Sequence, residues 1–161
     1  MTLLIGEDIE LLNNGKVKFR QGKFKPRNQH KYVGDIDNII FRSSWELRAF
    51  RFCDNNPNVL GWSSEEHAIP YLKPGKFGPK RANYYPDLYV EIVDREQKMR
   101  KMLIEIKPLK QTKPSKSRKW DNKLRENYAY TVNKLKWAAA TEWCAVRGFE
   151  FHLMTENSLF K

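Results

Sequence analysis

The stretch MLIEIKP (residues 102–108) decides the fold, because it reads as a buried strand with two charges in its second half. Its aliphatic residues suit the interior of a sheet. Glu105 and Lys107 do not, because charge in a sheet centre is costly unless it is paired or bound to a metal. Residues two apart in a strand point to the same face, so this carboxylate and this ammonium emerge together, while Ile104 and Ile106 hold the opposite face in the core.

A helix is predicted upstream of this strand by its capping residues. Ser43 and Glu46 fit a capping box, so the helix should begin at about Ser44. Apolar residues at helical spacing follow, and the turn residues 55–57 end the helix.

Three strands are predicted between this helix and the basic segment that follows MLIEIKP. Residues 59–71 predict a strand or one limb of a hairpin, and residues 73–83, rich in Gly, Pro and Lys, predict a loop. The stretch YYPDLYVEIV (residues 84–93) alternates in polarity. A charged turn separates it from the strand at 102–107, which predicts a hairpin of these two strands.

A long amphipathic helix and a last strand complete the pattern. Gly148 fits the C-terminal cap of the helix, and residues 149–154 alternate as a strand does. The order helix, three strands, helix, strand predicts an α/β fold with a mixed central sheet flanked by helices. The helix is predicted to bury one stripe in the core, made of Trp120, Leu124, Tyr128, Val132, Leu135, Ala139, Trp143 and Val146.

The composition favours a basic protein that folds as one domain and binds a polyanion. The chain has 161 residues and a formal net charge of +11, which indicates association with a partner such as DNA. Its two cysteines give no disulfide framework, and no apolar run reaches membrane-spanning length. We expect a cytosolic protein that uses no membrane and, lacking phosphate-binding glycine motifs, no nucleotide cofactor.

Acidic residues of two neighbouring predicted strands are expected to meet at one end of the sheet. Asp87 follows a proline at the start of one strand, and Glu105 lies in the next. Two close carboxylates repel unless a cation sits between them, and such oxygen ligands suit Mg²⁺ or Mn²⁺. Lys107 can act as a point charge on a phosphate, and Glu46 could reach the same place. Three other interpretations stay open: Glu46 as a helix cap only, Asp87 as a turn or strand-entry aspartate after proline, and Glu105 with Lys107 as an ion pair on one face at a sheet edge.

The sequence resembles the PD-(D/E)XK nuclease superfamily through PD at 86–87, EIK at 105–107 and the upstream helical glutamate. The resemblance implies a restriction-endonuclease-like αβββαβ core and Mg²⁺-dependent cleavage of phosphodiester bonds, with Mn²⁺ as a substitute. It implies that Asp87 and Glu105 bind the metal together with the backbone carbonyl of Ile106. Lys107 would position or activate the attacking water, and Glu46 would bind a metal directly or through water.

A closer resemblance involves four stretches: GKFKPRNQHKYVGD (22–35), FRSSWELRAFRFCD (41–54), YYPDLYV (84–90) and LIEIKP (103–108). They are similar to the head completion nuclease family of T-even-like tailed phages, and in part to TnsA-like endonucleases. The resemblance implies action on packaged DNA before heads and tails join, with phage head or neck proteins as partners. The expected locations are then the host cytoplasm and the virion.

Basic residues outside the acidic cluster are predicted to contact DNA. We expect a basic N-terminal arm at 1–34, in which aromatics such as Phe24 and Tyr32 stack on unpaired bases, and a nuclease-like domain at 35–161. A disordered solubilising tail is the alternative for the arm. The predicted DNA contacts are Lys23, Lys25 and Arg27 in the arm and Lys110, Lys113, Lys116, Arg118 and Lys119 after the EIK strand.

The function expected from these observations is that of a Mg²⁺-dependent DNA endonuclease of the head completion type. Two alternatives remain. One is a DNA-binding structural virion protein that keeps the nuclease fold without activity. The other is a TnsA-like or junction-cleaving endonuclease. The sequence leaves the number of metal ions and the oligomeric state open.

Overall fold

The computed structural model describes residues 9–11, 17–19 and 21–159. The elements follow the predicted α/β order, with short strands added at the N-terminus and between the main elements. The strands are β1 (Ile9–Leu11), β2 (Val17–Phe19), β3 (Gly22–Lys23), β4 (Ile40–Phe41), β5 (Val59–Ser63), β6 (Ile69–Lys73), β7 (Lys80–Tyr84), β8 (Leu88–Val93), β9 (Met99–Ile106) and β10 (Glu150–Met154). The helices are α1 (Ser44–Asn55), α2 (Trp120–Arg147) and α3 (Glu156–Leu159), with 3₁₀ turns at Gln29–Lys31, Ile36–Asn38 and Leu109–Thr112.

The central sheet has four strands in the order β10-β9-β8-β5 and is mixed, as predicted. Strands β8 and β9 form the predicted antiparallel hairpin, in which Leu88 lies opposite Ile104. Strand β10 runs parallel to β9 on its other side, and β5 runs antiparallel to β8. The strand that holds Glu105 is therefore internal to the sheet, where both its neighbours satisfy its backbone.

The two faces of the sheet pack on different helices. Ile104 and Ile106 lie in one core cluster with Phe50 of α1, as the alternation of β9 predicts. Leu103 lies in the other cluster, with Tyr84 of β7 and with α2. Because residues two apart share a face, Glu105 and Lys107 emerge on the α2 side of the sheet.

Helix α1 begins and ends where its capping residues predict. The Ser43 hydroxyl accepts the N–H of Glu46 at 3.2 Å, which satisfies one of the free donors of the first turn. The helix ends at Asn55, the first residue of the predicted turn. Glu46 lies in the first turn of α1, near enough to Asp87 for its carboxylate to raise the pKa of Asp87.

The segment predicted as one strand and a loop is instead a strand and a separate hairpin. Residues 59–71 divide into β5 and the start of β6, and the predicted loop at 73–83 contains β7, which pairs with β6. The loop prediction was therefore wrong for residue 73 and for residues 80–83. Glycine, proline and lysine make up most of residues 73–83, which leaves little hydrophobic alternation there for a sequence pattern to detect.

The predicted core stripe of α2 is only partly buried. Among the described residues of α2, those that are fully buried are Val132, Ala140 and Cys144. The helix has 28 residues and is about 42 Å long, so it extends well beyond a sheet of five- to eight-residue strands. The core prediction was therefore wrong for the exposed members of the stripe, which are Trp120 (74%), Leu124, Tyr128, Leu135 and Val146. No helix in the described part of the chain is long and apolar enough to span a membrane.

Residues 22–33 pack against the domain and do not form a free arm. Phe24 makes edge contacts with the rings of Phe50 and Trp62, and Tyr32 is buried beside the same tryptophan. The buried Lys31 ammonium donates to the carbonyl oxygens of Asp54 and Asn56 at the end of α1. The predicted stacking of these aromatics on bases is therefore wrong. Residues 1–8, 12–16 and 20 of the predicted arm lie outside the described residues.

Candidate active site

Asp87 and Glu105 lie opposite each other at one end of the central sheet. Asp87 immediately precedes β8, and the pairing of Leu88 with Ile104 continues to bring Asp87 beside Glu105. The two carboxylates are close enough for Glu105 to raise the pKa of Asp87. The sequence prediction that these two acids meet thus agrees with the geometry, whereas their catalytic roles remain predictions.

Glu105 is held by two donors in an almost fully buried position. Glu105 is only 4% exposed. The Tyr84 hydroxyl donates to Glu105 Oε2 at 2.7 Å, and the Lys107 ammonium lies 3.1 Å from Glu105 Oε1. Burying a carboxylate without partners is expensive, so these contacts fix the side chain in one orientation. The ion pair predicted from the sequence exists, but in an internal strand and beside a second acid.

Asp87 is fixed by a backbone donor and surrounded by negative charge. The N–H of Ile106 donates to Asp87 Oδ2 at 2.7 Å. The pKa of Asp87 lies well above its ordinary value, mainly because of burial and then because of the Glu105 carboxylate. Glu46 raises this pKa further, whereas the Ile106 N–H and Lys107 lower it. A cation bound here would relieve this repulsion.

Lys107 keeps its charge despite partial burial. Burial lowers its pKa, but Glu105, Asp87 and Glu46 together outweigh this effect and leave the pKa above the ordinary value. Its backbone N–H donates to Met154 of β10 at 2.9 Å, which fixes the start of the side chain. Lys107 is therefore a positioned ammonium, suited to bind a phosphate oxygen or to orient a water molecule.

Glu46 caps α1 and also faces the acidic cluster, so its two proposed roles are compatible. Its carboxylate accepts from the Arg42 N–H at 2.8 Å and from the Ser43 hydroxyl at 3.3 Å. Burial raises the pKa of Glu46, partly offset by these two donors. Arg42 forms an exposed ion pair with Glu65 at 2.9 Å, at the rim of the same site.

The backbone carbonyl of Ile106 has a structural reason to be available as a ligand. Continuing the β8–β9 register by two residues brings Pro86 opposite Ile106. Proline has no N–H, so it cannot donate the ladder hydrogen bond that this carbonyl would otherwise accept. The side chain of Asp87 takes the neighbouring Ile106 N–H. Pro86 thus interrupts the hydrogen bonds between β8 and β9 beside Asp87 and Glu105.

The oxygen donors at this end of the sheet fit a hard divalent cation. Among residues 9–11, 17–19 and 21–159, no three His, Cys, Asp or Glu side chains lie close enough together to hold a metal ion. An ion here would therefore use Asp87, Glu105 and the Ile106 carbonyl, and would complete its shell with water or phosphate. Mg²⁺ accepts such a set, since it binds through one or two carboxylates and keeps several waters.

The predicted DNA contacts divide into two groups. Lys110, Lys113 and Lys116 line one groove of about 850 Å³ beside α2, together with Arg125 and Tyr130. All five predicted cations after β9 are exposed, Arg118 and Lys119 included. The first groove residue along the chain, Leu109, lies two residues after Lys107, but the acidic cluster itself does not line the groove.

The three predicted cations of the N-terminal segment do not line this groove. Lys23, Lys25 and Arg27 are exposed, but the backbone of Arg27 donates to Asp54 in the last turn of α1. Asp54 is eight residues from Glu46, which corresponds to about 12 Å along the helix. The structure therefore places the backbone of Arg27 at the opposite end of α1 from Glu46, whereas Lys23 pairs with Ile40 of β4.

Two side chains near the acids were missed at the sequence level, Tyr84 and Lys136. Tyr84 was assigned to the strand of Asp87, although it ends β7 and reaches Glu105 from the hairpin. Lys136 lies four residues from both Val132 and Ala140, two buried residues of α2. A lysine at a buried position of an amphipathic helix was the available signal for this second cation.

Comparisons with known proteins agree with this geometry. The family model "TnsA-like endonuclease N terminal" matches residues 56–156, which include Asp87, Glu105 and Lys107. The chain is 34% identical over 147 residues to the head completion nuclease of Enterobacteria phage T4, covering 86% of this chain and 92% of that protein. No solved structure matches the chain significantly. The resemblance predicted from the sequence is confirmed: the chain belongs to the TnsA-like endonuclease family and to the family of the phage T4 head completion nuclease.

Proposed function

We propose that this protein is a Mg²⁺-dependent endonuclease that hydrolyses phosphodiester bonds of DNA. One observation supports the proposal most strongly: Asp87 and Glu105 meet on adjacent strands, and Lys107 lies 3.1 Å from Glu105, in a chain that belongs to two nuclease families. Mn²⁺ should substitute for Mg²⁺, because both accept carboxylate, carbonyl and water oxygens.

The residues of the site divide the work between charge and position. Asp87, Glu105 and the Ile106 carbonyl would hold the ion, which when bound lowers the pKa of water and offsets phosphate charge. Tyr84 keeps Glu105 oriented by its hydrogen bond at 2.7 Å. Lys107 orients the attacking water or holds a phosphate oxygen, since it is fixed at both its backbone and its ammonium. Glu46 adds a third acid at the rim.

The relative from phage T4 is a head completion nuclease, and we propose the same role here. The substrate would be packaged DNA before heads and tails join, and phage head or neck proteins would be the partners. The protein would act in the host cytoplasm or in the virion. A net charge of +11 and the groove beside α2, lined by three lysines, favour a DNA substrate over a neutral one.

The test is cleavage of supercoiled plasmid and linear DNA with Mg²⁺, Mn²⁺ or EDTA. Wild type is compared with Glu105→Gln and with Lys107→Ala. The chain offers a matched control in Glu96 and Lys98, which have the same spacing and form an exposed pair at 3.5 Å in the turn before β9. Glu96→Gln and Lys98→Ala should cleave as wild type does.

We expect both site variants to lose at least about 100-fold in cleavage rate, as when a transition-state donor or ligand is removed. Cleavage that survives both changes would place the chemistry elsewhere. Failure of the wild type with every metal, together with salt-dependent DNA binding, would favour the non-enzymatic structural protein. Comparing blunt, nicked and branched DNA distinguishes the junction-cleaving alternative, which requires faster cleavage of the branched substrate.

A further inference from the structure

Lys136 occupies a position in α2 where an apolar residue is expected. The described buried residues of this helix are Val132, Ala140 and Cys144, and Lys136 fills the four-residue step between the first two. Four residues are about one helical turn, so Lys136 projects from the face of α2 that packs towards the sheet. Its side chain is half-buried.

The ammonium of Lys136 lies over two tyrosine rings and beside the acidic cluster. Its Nζ is 5.5 Å from the ring centre of Tyr84 and 5.9 Å from that of Tyr71. Tyr84 is the residue whose hydroxyl donates to Glu105. Cation–π contacts hold a charge in position without neutralising it. Among the described residues, no carboxylate forms an ion pair with Lys136 within 4.0 Å.

The electrostatic environment connects Lys136 to three groups of the candidate active site, Glu105, Asp87 and Lys107. Burial lowers its pKa, the Glu105 and Asp87 carboxylates raise it, and Lys107 and Lys73 lower it. Lys136 therefore approaches the carboxylates from α2, while Lys107 approaches them from β9. An anion between the two lysines would receive charge from both sides.

We propose that Lys136 binds a backbone phosphate of DNA at the Asp87–Glu105 site, opposite Lys107. The inference rests on the proposed function, because it assumes that DNA enters this site. A phosphate oxygen gains negative charge as the phosphodiester bond is hydrolysed, so a fixed ammonium stabilises the transition state more than the ground state. Lys136 is then a second catalytic cation, supplied by the helix and not by the strand motif.

The test compares Lys136→Met, Lys136→Arg and a matched control, Lys134→Met. Methionine keeps most of the aliphatic stem but removes the charge, and arginine keeps the charge. Lys134 is an exposed lysine of the same helix whose Nζ also lies 5.5 Å from a tyrosine ring, that of Tyr130. Each protein is assayed for single-turnover cleavage with Mg²⁺, for binding of a short labelled duplex with Ca²⁺ at several salt concentrations, and for thermal unfolding.

Lys136→Met should lower the single-turnover rate by about 100-fold, the effect of losing one transition-state donor. It should also reduce the slope of log K against log salt by about 0.9, the value for one phosphate contact on duplex DNA. Lys136→Arg should recover most of the rate and the wild-type slope. Lys134→Met should match wild type in both measurements.

A wild-type rate and salt slope in Lys136→Met would overturn the proposal. So would a lower rate and melting temperature with an unchanged slope, because a purely structural lysine gives that pattern. The DNA-binding measurement separates this inference from the proposed function. If wild type cleaves no DNA, the proposed function fails, while a slope reduced only in Lys136→Met still supports a phosphate contact at Lys136.

Discussion

Removing the hydroxyl of Tyr84 tests how the buried carboxylate of Glu105 is supported. Tyr84 donates to Glu105 Oε2 at 2.7 Å, and Glu105 is 4% exposed, so water cannot easily replace the donor. Hydrogen bonds to charged groups contribute about 1.5–3 kcal/mol. Tyr84→Phe should therefore lower the free energy of unfolding by about 2 kcal/mol. In a chain of this size that corresponds to a fall of about 4–8 °C in melting temperature.

The same substitution should weaken the response to metal. Tyr84 orients a proposed ligand without binding the ion itself, and loss of such a partner typically costs about 10–100-fold in metal affinity or activity. The assay is the Mg²⁺ concentration that gives half-maximal cleavage, measured beside unfolding in EDTA. Tyr128→Phe is the control, because its hydroxyl donates to the Pro74 carbonyl at 3.0 Å on a side chain that is 48% exposed.

Tyr128→Phe should change the free energy of unfolding by less than about 0.5 kcal/mol and leave the Mg²⁺ midpoint unchanged. If Tyr84→Phe behaved in the same way, the hydrogen bond would not support Glu105, and the description of this carboxylate as held by two donors would be refuted.

Three further predictions concern charge and packing. Asp87→Asn should stabilise the metal-free protein at pH 8. Burial and nearby carboxylates raise the pKa of Asp87, so the free energy of unfolding of the wild type falls as pH rises through that pKa. In urea unfolding, the advantage of the variant should vanish towards pH 4. Arg100→Gln should destabilise the protein at pH 7, but progressively less as pH falls from about 4.5 to 2. The hydrogen bond from Arg100 lowers the pKa of Glu150 to about 2, so its stabilising effect is lost as Glu150 becomes protonated. Thermal unfolding at several pH values measures this difference. Lys31→Met should cost about 1–3 kcal/mol, because it removes two hydrogen bonds from a buried ammonium to carbonyls at the end of α1. Exposed Lys25→Met should cost under about 0.5 kcal/mol, and equal values for the two variants in urea unfolding would contradict the packing of residues 22–33 on the domain.

The parts of the fold that the sequence predicted are those with strong local signals. Ile104 and Ile106 alternate with Glu105, and this alternation determines which face of β9 is apolar. A one-residue shift in the strand register would turn the charged residues towards that core and the isoleucines away from it. The Ser43–Glu46 box fixes the start of α1, because its hydrogen bonds join residues three apart. The meeting of Asp87 and Glu105 followed once the two strands formed a hairpin.

The parts that were missed depend on contacts between distant segments. The periodicity of α2 showed which residues share a stripe, but not how far the sheet extends beneath the helix, so Trp120 and Leu124 were placed in the core. Basic residues around Phe24 suggested a free arm, whereas this ring packs on Phe50 and Trp62, which lie far away in the sequence.

The same limit applies to the candidate site. The motif residues of β8 and β9 lie close together in the sequence and could be recognised there. Tyr84 reaches Glu105 only because β7 pairs with β6 beside the sheet, and Lys136 arrives from a helix more than thirty positions later. Support from such neighbours becomes visible only when the elements are packed.

The central claim is that Asp87 and Glu105 bind the catalytic cation, and a crystal of the protein soaked in Mn²⁺ tests it most directly. Anomalous scattering locates Mn²⁺ without reference to activity. We predict one strong peak at coordination distance from a carboxylate oxygen of Asp87, a carboxylate oxygen of Glu105 and the carbonyl oxygen of Ile106, and no such peak in Asp87→Asn. A peak bound to other residues, or none in a protein that cleaves DNA in the same solution, would contradict it.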